Sequence, residues 1–295
     1  MKFQLVLLVL LVAVNASQSA EQKSKHALVI GIDGVLVDGL HAAATPVMDS
    51  LAASGAFSWD AFAGGLAGQP SQQATSSGPG WSSILAGVWL DKHNVPNNDF
   101  SEPNYDQYPH FFQRIKESRP DAYLSSIVNW TPINDKILRA EDYQARGDDA
   151  AVADLASAHL TEQNPDVLFL HFDEVDGAGH KNGYYADIPA YTKAIARVDS
   201  LVGAVLAGLK KRTTFENEEW LIMITTDHGG RKKGHGGQSP EERRIFIIAN
   251  GPGIKTGVVS PGPGHVVVPS TVCAFLGIPI KKTWGWEGTA FGLHQ

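Results

Sequence analysis

Short apolar runs rich in β-branched residues alternate with helical patterns along the whole chain, and this alternation constrains the fold more than any other feature. Strand-like runs cover 27–32, 122–129, 166–172, 220–224 and 244–249, and helical patterns cover 45–54, 81–88, 109–118, 149–163, 187–211 and 269–276. Parallel strands need crossover connections, which helices usually supply. The sequence therefore predicts an α/β fold with a mostly parallel central sheet sandwiched between helices.

Length and charge narrow the class of protein. The 295 residues suit one large α/β domain or two small ones, and no internal repeat or low-complexity linker divides them. We therefore predict a single catalytic domain over residues 21–295. The net charge of −7 is spread without long like-charged runs, which argues against a nucleic-acid polymer as partner.

The N-terminus has the pattern of a secretory signal peptide. Lys2 precedes an apolar run, Leu5–Val14, and small and polar residues follow up to Ala20. The run is too short to span a bilayer comfortably, although an uncleaved anchor stays open as the alternative. We predict a signal peptide over residues 1–20, a secreted or periplasmic location and no membrane anchor after cleavage. Cys273 is the only cysteine, which excludes an intramolecular disulfide.

Aspartate and histidine residues follow three of the predicted strands. In chain order they are Asp33, then Asp176 and His180, then Asp227, His228 and His235. Each cluster alone could be a solvated turn, and an aspartate at a strand end can also cap a helix or form a turn. Parallel strands present their carboxyl ends at one edge of the sheet, so we expect the clusters to converge there.

Carboxylate and imidazole ligands without cysteine suit zinc, or less specifically manganese or iron. Six such groups exceed the needs of one tetrahedral ion but fit two ions about 4 Å apart. Two ions at that spacing can hold the entering and leaving oxygens of an in-line displacement at phosphorus. The sequence therefore favours a two-metal centre at the carboxyl ends of the strands.

A hydroxyl group precedes the helical pattern that begins near Trp81. Residues 64–80 are rich in Gly, Ser, Gln and Pro, and they place Ser77 just before the predicted helix. The free N–H groups and positive dipole of a helix N-terminus suit an anion attached to that hydroxyl. The alternative is that Ser76 or Ser77 is only an N-cap.

Together these motifs resemble the alkaline phosphatase superfamily, and most closely its type I phosphodiesterase/nucleotide pyrophosphatase branch. The matching motifs are Ile32-Asp33-Gly34, Ser77-Gly78-Pro79, Gly87, His93, Asp176-Gly177-Ala178-Gly179-His180, Asp227-His228-Gly229 and Gly234-His235-Gly236. They agree in order and spacing over residues 27 to about 255. The resemblance implies an alkaline phosphatase-like fold and a phosphodiesterase that acts on a small-molecule phosphate ester.

The resemblance also implies a role for each site residue. One zinc ion would be held by Asp176, His180 and His235, and the other by Asp33, Asp227, His228 and the nucleophile oxygen. The nucleophile position falls on Ser77, with Ser76 as the runner-up, and implies a phosphoseryl intermediate. An asparagine that binds a phosphoryl oxygen falls on Asn98, with Asn97 as the alternative. The backbone N–H groups near Gly78 and the Asn98 amide would meet the charge on the equatorial oxygens.

This sequence departs from the family pattern at three places. Ser77 replaces the usual threonine and is followed by Gly78 rather than by an aromatic residue, so a nucleotide substrate is not implied. His235 follows His228 by only seven residues, which leaves no long capping insert. Third, no acidic set and arginine are arranged as alkaline phosphatase proper needs for its magnesium and phosphate clamp, which disfavours monoesters. Sulfatases share the fold, but Trp81 stands where they carry an arginine, which disfavours sulfate esters.

Two rival hypotheses stay open. The same site could hydrolyse phosphomonoesters or phosphonates, or the chain could be an inactive metal-binding pseudoenzyme. His171 and the histidines without ligand spacing are expected on the surface or in the core.

Overall fold

A computed structural model describes residues 23–139 and 141–293, so the predicted signal peptide over residues 1–20 lies outside the described residues. The described part contains an eight-stranded sheet. Its strands are β1 Ser24–Ile32, β2 Ala56–Phe62, β3 Leu124–Val128, β4 Tyr143–Arg146, β5 Val167–Phe172, β6 Glu218–Thr225, β7 Arg244–Asn250 and β8 Gly257–Val258.

The strand order across the sheet is β4-β3-β5-β1-β6-β7-β2-β8. Only β7 runs against its neighbours, since it pairs antiparallel with both β6 and β2 while the other pairings are parallel. The predicted α/β fold with a mostly parallel sheet is therefore confirmed. β5, β1 and β6 are adjacent, so the three clusters that follow them start from one edge of the sheet.

Helices cover both faces of the sheet. They are α1 Val37–Ala42, α2 Pro46–Ser54, α3 Ser77–Ala86, α4 Leu90–His93, α5 Phe111–Ser118, α6 Asp149–Glu162, α7 Glu174–Asn182, α8 Pro189–Leu209, α9 Pro240–Arg243 and α10 Val267–Phe275. A π-helix, Ile133–Ile137, and 3₁₀ turns at Phe215–Asn217 and Lys282–Trp284 complete the described elements. None of the helices in the described ranges is long and apolar enough to cross a membrane.

The apolar side chains form one core on each face of the sheet. Along β1 the side chains alternate, so Ala27 and Val29 join the core under α3, α5 and α10, while Leu28 and Ile30 join the core under α1, α2, α6 and α8. All four side chains are fully buried. Burial on both faces explains why β1 is an unbroken apolar run rather than an alternating one.

Two differences from the predicted elements bear on the site. The segment after β5 is a helix, α7, although its glycines and charged residues resemble a loop; Asp176 and His180 are four residues apart and therefore share one helix face. Ser77 is the first residue of α3 rather than the residue before it, and Ser76 is the N-cap. The Ser76 side chain makes no capping hydrogen bond, so the simple N-cap alternative finds no support.

Candidate active site

Asp33 follows β1 directly and is fully buried at the edge of the sheet. Its Oδ2 atom accepts a hydrogen bond from Trp81 Nε1 at 2.9 Å and lies 3.1 Å from His171 Nε2. Its Oδ1 atom has no hydrogen-bond partner among the described residues and lies 3.4 Å from His228 Nε2. One oxygen is thus fixed by two ring nitrogens, and the other is left to bind a cation.

His171 is a site residue that the sequence reasoning missed. It lies on β5 opposite Gly31 of β1, so strand register rather than motif spacing brings it to Asp33. The Trp130 N–H donates to His171 Nδ1 at 3.3 Å, which leaves the ring proton on Nε2 facing the Asp33 carboxylate. His171 is therefore a donor that orients Asp33, and a cation ligand only if that hydrogen bond is lost.

The three histidines of the predicted ligand set carry the ring proton on Nδ1, whereas His171 carries it on Nε2. Nδ1 lies 2.7 Å from the Gly229 carbonyl in His228, 3.0 Å from the Thr75 carbonyl in His235 and 3.1 Å from the Lys233 carbonyl in His180. A carbonyl can only accept, so each Nδ1 carries the proton. Each Nε2 therefore presents a lone pair, which is the state in which imidazole binds a metal.

These lone pairs meet carboxylate oxygens in two groups. In the first group, His228 Nε2 lies 3.4 Å from Asp33 Oδ1 and 3.3 Å from Asp227 Oδ2. All three atoms are buried and lack a hydrogen-bond partner among the described residues. Three acceptor atoms that face one another without a donor repel one another, and a bound cation would remove that repulsion.

The second group lies nearer to solvent. His180 Nε2 is 3.1 Å from His235 Nε2 and 3.3 Å from Asp176 Oδ2, and His235 Nε2 is 3.7 Å from Asp176 Oδ1. The His180 side chain is 48% exposed. His235 stacks on His228 with ring centroids 3.9 Å apart, so the two groups are neighbours. All six predicted metal ligands thus gather in one place.

The charges of the site also favour a bound cation. Burial raises the pKa of Asp227 well above its usual value, and the nearby Asp33 and Asp176 carboxylates raise it further. Burial likewise raises the pKa of Asp176, and Asp33 adds to the effect. Asp33 is the exception: burial opposes its ionisation, but the hydrogen bond from His171 and the His228 ring keep its pKa below the usual range. A bound divalent cation would offset this crowding of carboxylates.

Asp176 is held by a second residue that the sequence reasoning missed. The Tyr184 hydroxyl donates to Asp176 Oδ1, and its ring packs between α7 and the loop after β6. A Cβ atom at Gly179 or Gly230 would lie within 2.4 Å of this ring, so both positions require glycine. Gly179 belongs to a predicted motif and Gly230 directly follows another, but nothing in the spacing of the motifs indicated the tyrosine.

Ser77 lies between residues that contact the two ligand groups. Two residues before it, the Thr75 carbonyl accepts from His235. Three residues after it, a Cβ atom at Gly80 would lie 2.8 Å from Asp227 Cβ, so glycine allows α3 to pack directly on that ligand. Ser77 itself is 7% exposed, and its hydroxyl group stands at the positive end of α3.

Asn98 lies beside the start of the same helix. Its Oδ1 atom accepts from the Gly78 N–H at 2.7 Å, which fixes the orientation of the amide and leaves both N–H groups of Nδ2 for another acceptor. Of the backbone N–H groups near Gly78 that we expect to meet phosphoryl charge, the Gly78 N–H itself donates to Asn98 in this structure. A Cβ atom at Gly78 would lie 2.6 Å from the Asn97 backbone carbonyl, and the Asn97 side chain accepts from the Asp99 N–H within its own loop.

The described chain resembles known proteins in sequence and in fold. The family model for type I phosphodiesterase / nucleotide pyrophosphatase matches residues 118–233. Among curated proteins, a phosphopentomutase of Rhizobium johnstonii is 28% identical over 137 residues, which are 46% of this chain and 31% of the relative. The chain therefore spans about a third of the length of the curated relatives it matches.

Solved structures extend the likeness to almost the whole chain. A 2-O GAG sulfatase superposes with a TM-score of 0.72 at 17% identity, over 91% of this chain and 73% of that chain. Murine ectonucleotide pyrophosphatase / phosphodiesterase 5 superposes with a TM-score of 0.65 at 15% identity, over 88% of this chain and 96% of that chain. The family model bears out the resemblance to the type I phosphodiesterase/nucleotide pyrophosphatase branch over residues 118–233, and the solved structures show that the fold is shared.

Proposed function

We propose that this chain is a two-zinc phosphodiesterase that acts on a small-molecule phosphate ester through a phosphoseryl intermediate on Ser77. The observation that carries the proposal is a cluster of three buried atoms that have no hydrogen-bond partner among the described residues, namely Asp33 Oδ1, Asp227 Oδ2 and His228 Nε2. Such atoms are costly in a folded protein unless a cation satisfies them. The family match and the fold support a reaction at a phosphoric ester.

In this proposal the two ligand groups hold one ion each. Asp33, Asp227 and His228 would hold the ion beside Ser77, and Asp176, His180 and His235 would hold the other. When bound, the ions supply positive charge that lowers the pKa of a nearby hydroxyl and stabilises the oxygens of the transferring phosphoryl group. Manganese or another divalent metal would fit the same donors less specifically.

The protein groups then perform the displacement. Ser77 Oγ loses its proton to solvent and forms a bond to phosphorus, while the bond between phosphorus and the leaving alcohol oxygen breaks. Water next attacks the phosphoseryl group, which releases the phosphate monoester and returns the Ser77 hydroxyl. The free N–H groups of Asn98 Nδ2 would donate to an equatorial phosphoryl oxygen, where charge accumulates.

One assay tests the proposal. The zinc-loaded protein is given bis(p-nitrophenyl) phosphate and p-nitrophenyl phosphate, and initial rates are compared with those of Ser77→Ala and of Ser76→Ala as the matched control. We expect faster diester turnover, loss of that turnover in Ser77→Ala, and near-wild-type turnover in Ser76→Ala. Equal rates in the wild type and Ser77→Ala would exclude this nucleophile, and loss only in Ser76→Ala would transfer the role to that residue.

The rival functions give different results in the same assay. Faster monoester turnover, or turnover of a phosphonate monoester alone, would indicate the phosphomonoesterase or phosphonate hydrolase. The phosphopentomutase match makes phosphoryl transfer a second candidate, which predicts transfer of phosphate to an added sugar alcohol rather than to water. Zinc binding without turnover of any ester would identify the pseudoenzyme.

We also propose that the protein is exported. The proposal depends on the pattern of residues 1–20, with a cation, an apolar run and a small-residue exit. N-terminal sequencing of protein recovered from the medium or periplasm should find a mature chain that begins near residue 21. An intact Met1 on membrane-bound protein would instead indicate the uncleaved anchor.

A further inference from the structure

Gln73 is a buried polar residue outside the proposed ligand and nucleophile set. It lies four residues before Ser77 in the loop that leads into α3, and it is 3% exposed. Buried polar side chains are costly unless every group is paired. The Gln73 side chain makes hydrogen bonds through both its oxygen and its nitrogen, so its partners indicate what it holds together.

The side-chain oxygen of Gln73 accepts from several donors in the region after the nucleophile. Gln73 Oε1 lies 3.0 Å from Ser83 Oγ, 3.1 Å from the Leu90 N–H and 3.1 Å from His93 Nε2. The Val95 N–H donates to His93 Nδ1 at 3.0 Å, so His93 carries its proton on Nε2 and donates it to the glutamine. Through His93, Gln73 is connected to the segment that runs from Val95 to Asn98.

The remaining polar groups of Gln73 contact the other two parts of the site. Gln73 Nε2 donates to the Pro79 carbonyl at 2.9 Å, in the first turn of the Ser77 helix. The Gln73 backbone carbonyl accepts from Gln238 Nε2 at 2.7 Å, on the loop that carries His235. One residue therefore contacts the nucleophile helix and a ligand loop directly, and the asparagine loop through His93.

We infer that Gln73 is a positioning residue that fixes the Ser77 helix relative to the Asn98 loop and the His235 loop. The inference rests on the proposed function for its catalytic consequence, but the contacts themselves are independent of that function. A displacement of about 1 Å in a reacting group can cost about 100-fold in rate. Because Gln73 contacts no metal ligand directly through its side chain, its loss should slow the reaction without removing zinc.

Two variants and a matched control test this kinetically. Gln73→Leu removes all side-chain hydrogen bonds, whereas Gln73→Glu keeps the acceptor oxygen and replaces only the donor that faces Pro79. Gln72→Leu is the control, since the Gln72 side chain accepts from the Gly68 N–H within its own loop. For bis(p-nitrophenyl) phosphate we expect kcat of both Gln73 variants to fall about 10- to 100-fold. KM should stay within about threefold, zinc stoichiometry should be unchanged, and the control should resemble the wild type.

Three results would overturn the inference. These are a kcat of the Gln73 variants within twofold of the Gln72→Leu control, an equal loss of zinc and activity, and a change confined to KM. If Gln73→Leu fails to fold, Gln73→Glu decides the question, because its carboxylate can still accept from Ser83, Leu90 and His93.

Hydrogen–deuterium exchange separates this inference from the proposed function. Peptides that cover 77–80 and 94–98 should exchange faster in both Gln73 variants than in Gln72→Leu, in zinc-free protein as well as zinc-loaded protein. Unchanged exchange in both peptides would refute the link. If the wild type hydrolyses no phosphate ester, the proposed function fails, and the exchange result alone decides whether Gln73 holds the two segments.

Discussion

The replacement His171→Phe tests whether the hydrogen bond to Asp33 prepares a metal ligand. The change keeps an aromatic ring of similar size in a fully buried position and removes the Nε2–H group that faces Asp33 Oδ2. Trp81 Nε1 still donates to the same oxygen. Asp33 should therefore remain near its place but with one of its two orienting donors missing.

The expected loss of zinc affinity follows from the kind of hydrogen bond that is removed. A hydrogen bond to a buried carboxylate contributes about 1.5–3 kcal/mol, and loss of a group that orients a metal ligand costs about 10- to 100-fold in metal affinity. His171 also helps to keep the pKa of Asp33 low against the effect of burial. Without it the pKa rises, so protons compete with the metal at a higher pH. We expect the pH at which half of the zinc is released to shift upwards.

Zinc affinity can be measured by competition with a chromogenic chelator across a pH series. The matched control is His159→Phe, because His159 is another buried histidine whose ring hydrogen-bonds to Ser125 and stacks on Tyr123 and Tyr143, none of which is a candidate site residue. The control should lose stability but keep its zinc affinity. Equal zinc affinity in His171→Phe and the wild type at every pH would refute the assignment of His171 as an orienting donor.

Three further predictions concern single contacts. Tyr184→Phe should weaken zinc binding about tenfold in equilibrium dialysis, because Asp176 loses a hydroxyl donor but keeps the ring packing; unchanged binding would contradict this. Asn98→Asp keeps the acceptor for the Gly78 N–H but replaces the amide donors with negative charge, so kcat/KM for the diester should fall about 100-fold. An unchanged kcat/KM would show that the amide does not bind the substrate. The pKa of Glu218, which burial would raise, is lowered from 4.5 to about 2 by hydrogen bonds led by Arg212. Stability should therefore be lost as the pH falls from about 4.5 to 2, by up to about 3 kcal/mol, and Glu218→Gln should flatten that part of an acid denaturation curve.

The fold could be predicted because its strongest elements carry local signals. β1, β5 and β6 are buried on both faces and read as unbroken apolar runs, and α8 has a long helical pattern. β2 was not predicted, because it includes Asp60 and lies towards an edge of the sheet where burial is incomplete. α7 was not predicted as a helix, because its glycines and charges mask the periodicity and tertiary contacts stabilise it instead.

The site also contains residues that the sequence could predict and residues that it could not. The candidate metal ligands could be named from the sequence because each belongs to a short motif with glycine that follows a strand and matches the family pattern. His171, Trp81 and Tyr184 could not, because they reach Asp33 and Asp176 through strand register and helix packing. Such contacts join residues that are far apart in the chain, and a single sequence contains no record of them.

The tautomers of the candidate ligands connect metal binding to the conformation of the loops. His228, His235 and His180 are all oriented by backbone carbonyls, and two of those carbonyls belong to the loop after β6. A carbonyl cannot be removed by changing a side chain, so the orientation of these rings depends on the loop remaining folded. By linkage, the proposed cations would stabilise that loop when they bind these Nε2 atoms. The short connection between His228 and His235 would then have a physical meaning, because the segment that orients the ligands would itself be stabilised by the ions that they bind.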